Sequence, residues 1–365
     1  MSFAQIIGQT RPKEILARAL HTGRIPHAYL FAGPAGVGKE AMAIEMAKAL
    51  LCSSGGDIKP CDSCSACRRA GRFGHPDFFF LFPMPKNAAV EEEREVLDSL
   101  VRDPYIRKLP WAAPTIGIER IRELRRVSSL KPLEGRRVVI IAEADKMTPE
   151  AANALLKILE EPPPDMQLIL TSSRDAGLLP TIVSRCQRVD FNLLTNAEVA
   201  SALMERKGVA QDQARLVARI AQGNYRHAAG LLEENLQERR NLVIEAMRIS
   251  LKDEGTRIEW AEGVLEELDK RELREFFSLM LIWFRDALVL TANPGAVASD
   301  QLVNVDQIEV MNKFVAAFSE IRFEAIFADL EKSIEMLDRN VHPTLILVVL
   351  LGRLNLNLIL KGSSI

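Results

Sequence analysis

The chain has 365 residues, 48% of them hydrophobic, with 47 Lys and Arg against 49 Asp and Glu and a formal net charge of -2. Apolar material on this scale builds two or three cores, because single cores stop growing near about 250–300 residues. It excludes intrinsic disorder, a collagen-like repeat and a small disulfide scaffold. A charge so near zero supplies no chain-wide basic field, so contact with nucleic acid has to come from a local patch or from partners.

The opening stretch MSFAQIIGQTRPKEILARAL predicts an amphipathic helix from its first residues, and no basic-then-apolar leader is read ahead of it. The first strand is expected at His27–Ala32. It leads into Gly33-Pro34-Ala35-Gly36-Val37-Gly38-Lys39-Glu40, which opens a helix. That is the GxxxxGK phosphate loop in the context it requires. Glycines let backbone N–H groups close on a triphosphate, the helix N-terminus adds positive potential, and Lys39 supplies a mobile cation, so ATP or ADP is the expected ligand. The next position should offer Mg²⁺ a Ser or Thr hydroxyl, and here it is Glu40. A carboxylate about 4 Å from a phosphate oxygen costs on the order of 4 kcal/mol at an effective dielectric of 20 unless a metal ion lies between them. Nucleotide binding is therefore expected to be weak or to need an unusual metal geometry.

Cys52, Cys61, Cys64 and Cys67 follow, spaced C-x8-C-x2-C-x2-C. In a reducing compartment clustered cysteines favour a metal over disulfides, and four thiolates so close together suit tetrahedral Zn²⁺. An iron–sulfur cluster is the rival, but its C-x3-C-P continuation is absent, since Cys67 precedes Arg68-Arg69. With four cysteines filling the site, His75 reads as a turn residue, and Cys186 stands apart and is expected to be buried. Phe78–Leu81 is the second strand. Residues 84–113 then form a long, charged, proline-punctuated stretch, read as a surface insertion whose run Glu91–Glu95 is a solvated face. A helix over 116–130 carries Arg120, Arg122, Arg125 and Arg126 opposite Ile118, Ile121, Leu124 and Val127.

The third strand, Arg137–Ile141, ends in Ala142-Glu143-Ala144-Asp145. An Asp at such a strand end normally completes the Mg²⁺ site, and Ala142 stands in its place. Glu143 reads either as a water-orienting carboxylate or, with Asp145, as a cap on the helix that begins near Thr148-Pro149. Further strands are expected at Gln167–Thr171 and Gln187–Phe191. In all of these strands but the first, runs of Val, Ile, Leu and Phe rather than strict alternation mark burial on both faces, hence an α/β domain.

Beyond Phe191 the signal is helical to the end. Thr195 and Glu198 form a capping box, Leu216, Val217, Ile220 and Ala221 share one helix face, and Gly223-Asn224 punctuates the next. Two apolar faces, Phe276/Met280/Trp283/Phe284 and Leu345/Val348/Val349, read most simply as core. The apolar run Leu345–Leu351 falls well short of the ~18 residues of a bilayer span, so a soluble, cytoplasmic protein without membrane contact is expected. The expected division is an α/β domain over 1–192 with a cysteine insertion at 52–67, a small helical domain over 193–238 and a C-terminal helical domain over 239–365.

Three longer stretches carry a family resemblance. Gly23-Arg24-Ile25-Pro26-His27-Ala28-Tyr29-Leu30-Phe31 precedes the phosphate loop. Asn153-Ala154-Leu155-Leu156-Lys157-Ile158-Leu159-Glu160-Glu161-Pro162-Pro163 follows the Glu143 strand, and Leu179-Pro180-Thr181-Ile182-Val183-Ser184-Arg185-Cys186 comes after it. With the four cysteines, they resemble the bacterial clamp-loader subunits of the AAA+ class, strongly over about residues 3–230 and beyond that only in length and helical character. The resemblance implies an AAA+ P-loop parallel-sheet domain with a zinc module, a helical lid and a C-terminal helical collar. It implies a pentameric loader within the DNA polymerase III holoenzyme that opens the sliding clamp and closes it around primed DNA. Partners would be the gamma/tau motors, delta, the clamp and primer-template DNA.

Motor subunits of the family keep a Thr in the loop and an Asp-Glu pair, so Glu40 and Ala142 place the chain with the delta-prime branch, which hydrolyses ATP poorly or not at all. The resemblance makes Arg185 an arginine finger in a neighbour's ATP site, a contribution worth roughly 10³–10⁵ in rate. It gives Gly33, Gly36, Gly38, Lys39, Glu40, Glu143 and Arg226 to the nucleotide site, Arg226 in the manner of a second sensor, with Ser172 and Ser173 at the first-sensor position. It gives Zn²⁺ to Cys52, Cys61, Cys64 and Cys67, DNA-backbone contact to the 116–130 helix, and subunit contacts to the C-terminal faces. Two alternatives stand beside it: a hydrolysing gamma/tau-like motor in which Glu40 ligates Mg²⁺ directly, and an AAA+ factor for another DNA transaction such as helicase loading.

Overall fold

Short runs of β-branched and aromatic residues become five parallel strands in the computed structural model, which describes residues 3–54, 59–111, 113–233, 236–292 and 302–360. Residues 55–58 of the expected cysteine module, 112 of the 84–113 stretch, 234–235 of the expected lid, and 293–301 and 361–365 of the expected collar lie outside the described residues. Two compact units divide the chain, Met1–Ala229 and Gly230–Ile365.

The first unit contains, in chain order, α1 (Thr10–Thr22), β1 (Ala28–Ala32), α2 (Lys39–Leu51), α3 (Ser65–Ala70), β2 (Phe78–Leu81), α4 (Val90–Arg102), α5 (Ile118–Ser128), β3 (Arg137–Ile141), α6 (Pro149–Glu160), β4 (Met166–Ser172), α7 (Pro180–Val183), β5 (Gln187–Asp190), α8 (Asn196–Lys207), α9 (Gln211–Ala221) and α10 (Tyr225–Glu233). The strands lie in the order β2-β3-β4-β1-β5, all parallel, with Leu30 beside Leu170 on one side and Arg188 on the other. Every residue of β1, β3 and β4 is buried, the two-sided burial that the apolar runs predict for β3 and β4. One sheet face packs against α5 and α6 through Ile121, Leu124, Leu155 and Ile158.

Helix α1 starts at Thr10, not at the first residues. Gly8 and Gln9 take left-handed backbone (φ 53° and 55°), which no α-helix continues through, so Phe3, Ile6 and Ile7 are buried from turns instead. The Thr195–Glu198 capping box forms as expected, Thr195 Oγ1 accepting from Glu198 N at 3.2 Å and Glu198 Oε2 from Thr195 N at 2.8 Å. The first unit ends within α10, whose opening residues Tyr225, Ala228 and Ala229 are buried.

The second unit contains α11 (Leu236–Ser250), α12 (Glu254–Glu267), α13 (Lys270–Ala292), α14 (Ile308–Ala317), β6 (Phe318–Ile321), α15 (Phe323–Asp338), α16 (Pro343–Asn357) and β7 (Leu358–Leu360). It is not wholly helical, since β6 and β7 pair antiparallel. Phe276, Met280, Trp283 and Phe284 are buried as expected, but Leu345 and Val349 are exposed, because α16 packs through Ile346, Leu347, Leu350, Leu351 and Leu354. No described helix is long and apolar enough to cross a membrane.

Candidate nucleotide site and tetracysteine cluster

The carboxyl ends of β1, β3 and β4 converge, as ligand sites do in open parallel sheets. β1 delivers the phosphate loop, β3 delivers Glu143, β4 runs into Ser173, and α10 brings in Arg226. Gly36 and Gly38 have φ of 73° and 99°, and both press against the chain's own side chains. A Cβ on Gly36 would lie 1.7 Å from Asn224 Oδ1, and one on Gly38 would lie 2.7 Å from the Tyr105 ring.

Lys39 turns back into the loop. Its Nζ donates to Gly33 O at 2.6 Å, to Pro34 O, and to Ser173 Oγ at 3.1 Å. Burial strips water from the ammonium and pulls its pKa down to about 8, with the Glu40 carboxylate opposing the shift.

Glu40 and Glu143 face the same cation. Arg107 Nη2 lies 3.3 Å from Glu40 Oε1 and 2.8 Å from Glu143 Oε1, and the Arg107 side chain is fully buried. Arg226 Nη2 stands 3.4 Å from Glu40, and Lys146 Nζ is 2.6 Å from Glu143 Oε2. Burial pushes the Glu143 carboxyl up, yet Arg107, Lys146 and Arg226 outweigh it and hold the group below the usual carboxylate range. The Arg107 contacts are of charge rather than hydrogen-bond geometry, for none of its three buried nitrogens finds an aligned acceptor.

Arg107 comes from the 84–113 stretch, which is therefore no surface insertion. α4 buries Val96, Ser99 and Leu100. Of its acidic run, Glu91 and Glu95 are solvated, but Glu92 Oε2 accepts from Ala89 N at 2.9 Å and Glu93 pairs with Arg120. Past the helix Tyr105 is buried, its Oη accepting from Ile7 N at 2.7 Å and its ring meeting Tyr225 edge-on at 5.0 Å. Arg226 Nε donates to Tyr105 O at 3.1 Å. The cavity left among the loop, Pro104, Tyr105, Glu143 and Arg226 is about 30 Å³, room for about one water, whereas small-molecule sites run to about 300–1,000 Å³.

Mg²⁺ does not fit these residues. Its hydroxyl ligand is replaced by Glu40, its strand-end Asp by Ala142, and a guanidinium already bridges the carboxylates. Asp145 does not cap α6, whose N-cap is Thr148. Instead it accepts from Ser172 Oγ at 3.0 Å and Ser173 N at 3.3 Å, tying the end of β4 to the loop after β3. Arg185 follows α7, about one-third exposed, with Nη2 3.0 Å from Glu160 Oε1 and Nη1 donating to Thr181 O at 3.0 Å. Sequence reasoning missed Tyr105 and Arg107. The available signal was chemical: two carboxylates expected at one phosphate loop, with no metal ligand set to balance them, call for another cation.

Cys52, Cys61, Cys64 and Cys67 bring their Sγ atoms within 4.8 Å of one another. At ~2.3 Å per Zn–S bond a tetrahedral site spaces its sulfurs by about 3.8 Å, so this donor set fits zinc. The Cys67 N–H aimed at Cys64 Sγ (3.4 Å) draws that thiol down to about 5, while burial pushes Cys67 up. His75 is not in the cluster. It is a buried turn residue, Nδ1 accepting from Asp77 N at 3.2 Å and Nε2 3.2 Å from Glu134. Cys186 is half-buried, and desolvation lifts its pKa to about 11.

The family model described as DNA polymerase III, delta subunit, matches residues 8–195. The DNA polymerase III subunit delta' of Bacillus subtilis is 30% identical over 75% of this chain and 69% of its own length. The subunit gamma/tau of Mycobacterium bovis is 34% identical over 64% of this chain but only 37% of its own length, so the chain spans little more than a third of that relative. A gamma subunit-related protein of Thermotoga maritima aligns over 94% of this chain and 98% of its own, with a TM-score of 0.43 and 17% identity. A family match over more than half of the chain, and a delta' relative covered beyond two thirds, make the protein a member of the DNA polymerase III clamp-loader subunit family.

Proposed function

We propose that the chain is the non-hydrolysing, delta-prime-type subunit of a DNA polymerase III clamp loader, which helps load the sliding clamp onto primed DNA and completes a neighbour's ATP site through Arg185. One observation carries the reading. Where a hydrolysing site needs a hydroxyl, a metal ion and an aspartate, this one has a carboxylate, a guanidinium and a methyl group: Glu40, Arg107 and Ala142. The family match and the delta' and gamma/tau relatives support membership in the loader, with gamma/tau motors, delta, the clamp and primer-template DNA as partners. Arg185 suits a finger because its pair with Glu160 is solvent-exposed. Such pairs contribute only about 0–1 kcal/mol, so the guanidinium is readily given up to a phosphate.

In this reading the four cysteines hold a structural Zn²⁺, residues 193–238 form a lid and 239–365 a collar, and the protein works in the cytoplasm. The basic face of α5 follows the phosphate backbone without reading sequence. The experiment is ATP turnover by a reconstituted loader with clamp and primed DNA, comparing wild type with Arg185→Ala. A fall of an order of magnitude or more, with assembly intact by size-exclusion chromatography, is expected. Unchanged turnover removes the finger. Mg²⁺-dependent turnover by the isolated chain, abolished by Lys39→Ala, replaces the reading with a gamma/tau-like motor.

A further inference from the structure

We propose that Arg107 is a built-in replacement for the divalent cation of this phosphate-loop site, and that it, rather than Glu40 alone, keeps Mg²⁺-nucleotide out. The inference rests on reading the site as a non-hydrolysing phosphate loop, and it assigns the cause to a different residue.

Three observations carry it. The first is position: Glu40 opens α2 and Glu143 follows β3, the two elements from which phosphate-loop enzymes hold Mg²⁺, and Arg107 Nη2 lies between their carboxylates at 3.3 and 2.8 Å. The second is the imperfect fit. The guanidinium is fully buried with three nitrogens lacking aligned acceptors, and Glu40 Oε2 is buried without a hydrogen bond, while Glu143 Oε2 is taken by Lys146. A planar fork with five donors is satisfied only by aligned oxygens, and this site gives it opposite charge at 3.3 and 2.8 Å without that alignment. The third is the seat. Arg107 lies 5.6 Å from the centre of the Phe82 ring, and two residues earlier Tyr105 covers Gly38, so one short segment fills both the cation position and the face of the loop.

The surrounding charges agree. Arg226 faces both carboxylates, Lys146 pairs with Glu143, and Lys39 lies in the field of Glu40, Glu143 and Asp145, so with Glu40 exchanged for a neutral residue three cations stand against two carboxylates even without Arg107, which suits the polyanion of a metal-bound triphosphate.

The test separates Arg107 from Glu40 in the full chain, using a fluorescent ATP analogue with Mg²⁺ or with EDTA. Wild type is expected to bind weakly and equally in both. Glu40→Thr restores the missing hydroxyl but leaves Arg107 on Glu143, and is expected to gain nothing. The double variant Glu40→Thr/Arg107→Ala removes one charge of each sign and is expected to bind at least tenfold tighter with Mg²⁺, the gain vanishing in EDTA. If Glu40→Thr alone gains as much as the double variant, or the double variant gains nothing, Arg107 is not the block. Should the double variant lose its fold by circular dichroism, Arg107→Gln is read by the same criteria. A wild-type chain that already binds in a Mg²⁺-dependent way and turns over ATP overturns the non-hydrolysing reading itself. Failure of the variants beside an inert wild type overturns only the role of Arg107.

Discussion

A lysine that donates to two carbonyls of its own loop has exchanged water for peptide oxygens, and the exchange leaves a pH signature. Lys39 is depressed from 10.5 to about 8 in the folded chain. Between those values the unfolded state binds the extra proton, so stability is lowest where the ammonium is charged in both states and rises as pH climbs past about 8. Between about pH 7.5 and pH 9.5, wild type is expected to gain about 2 kcal/mol of unfolding free energy that Lys39→Met does not gain, as read by urea denaturation. Gly38 carries a second residue-scale prediction. An alanine there meets both a left-handed backbone and the Tyr105 ring, costing roughly 1–3 kcal/mol for the strain and a similar 1–3 for the overlap. Denaturation of the Gly38→Ala/Tyr105→Ala double variant against its two single variants is expected to return the overlap part and leave the strain.

At the scale of elements, the parallel strands were legible because burial on both faces leaves unbroken apolar runs, and β2 and β3 span the expected residues. The phosphate loop was legible because its glycines and lysine have one physical use. The 84–113 stretch was not. Its prolines and acids match a solvated connection, and nothing local distinguishes Arg107, whose partners Glu40 and Glu143 come from two other elements far along the chain. The start of α1 was missed for a related reason, since the helical period of the opening residues says nothing of the left-handed turn at Gly8-Gln9. The cysteine module makes its own prediction. α3 has six residues, too few to stand as a helix in water, where about 12–15 are needed. Removing zinc with a chelator is expected to open Arg68, Arg69 and Arg72 to trypsin while the helices of the second unit stay protected, as read by peptide mapping.

At the scale of the whole molecule, a net charge of -2 conceals a helix face richer in arginine than in glutamate, where Glu119 and Glu123 are exposed beside the arginines. Arg122, Arg125 and Arg126 of α5 are exposed, while Ile121 and Leu124 anchor the helix to the sheet. Reversing Arg122 and Arg125 to Glu is expected to flatten the dependence of log affinity for DNA on log salt by about 2 in the assembled loader, at about 0.9 per lost phosphate contact. An unchanged slope removes the face from DNA binding. The two borders of the parallel sheet differ just as sharply. β5 shows solvent Gln187, Arg188 and Asp190, with Arg188 paired to Asp175 and Asp190, a border that repels a second sheet. β2, on the other border, is Phe78-Phe79-Phe80-Leu81, and Phe73, six residues past Cys67, stacks on Phe78 at 5.7 Å and meets Phe80 edge-on at 5.2 Å. With the proposed Zn²⁺ on the four cysteines, the cluster anchors the turn that shields this strand, and stripping the metal is expected to bare a phenylalanine ribbon to neighbouring molecules, so that solubility fails before the fold does.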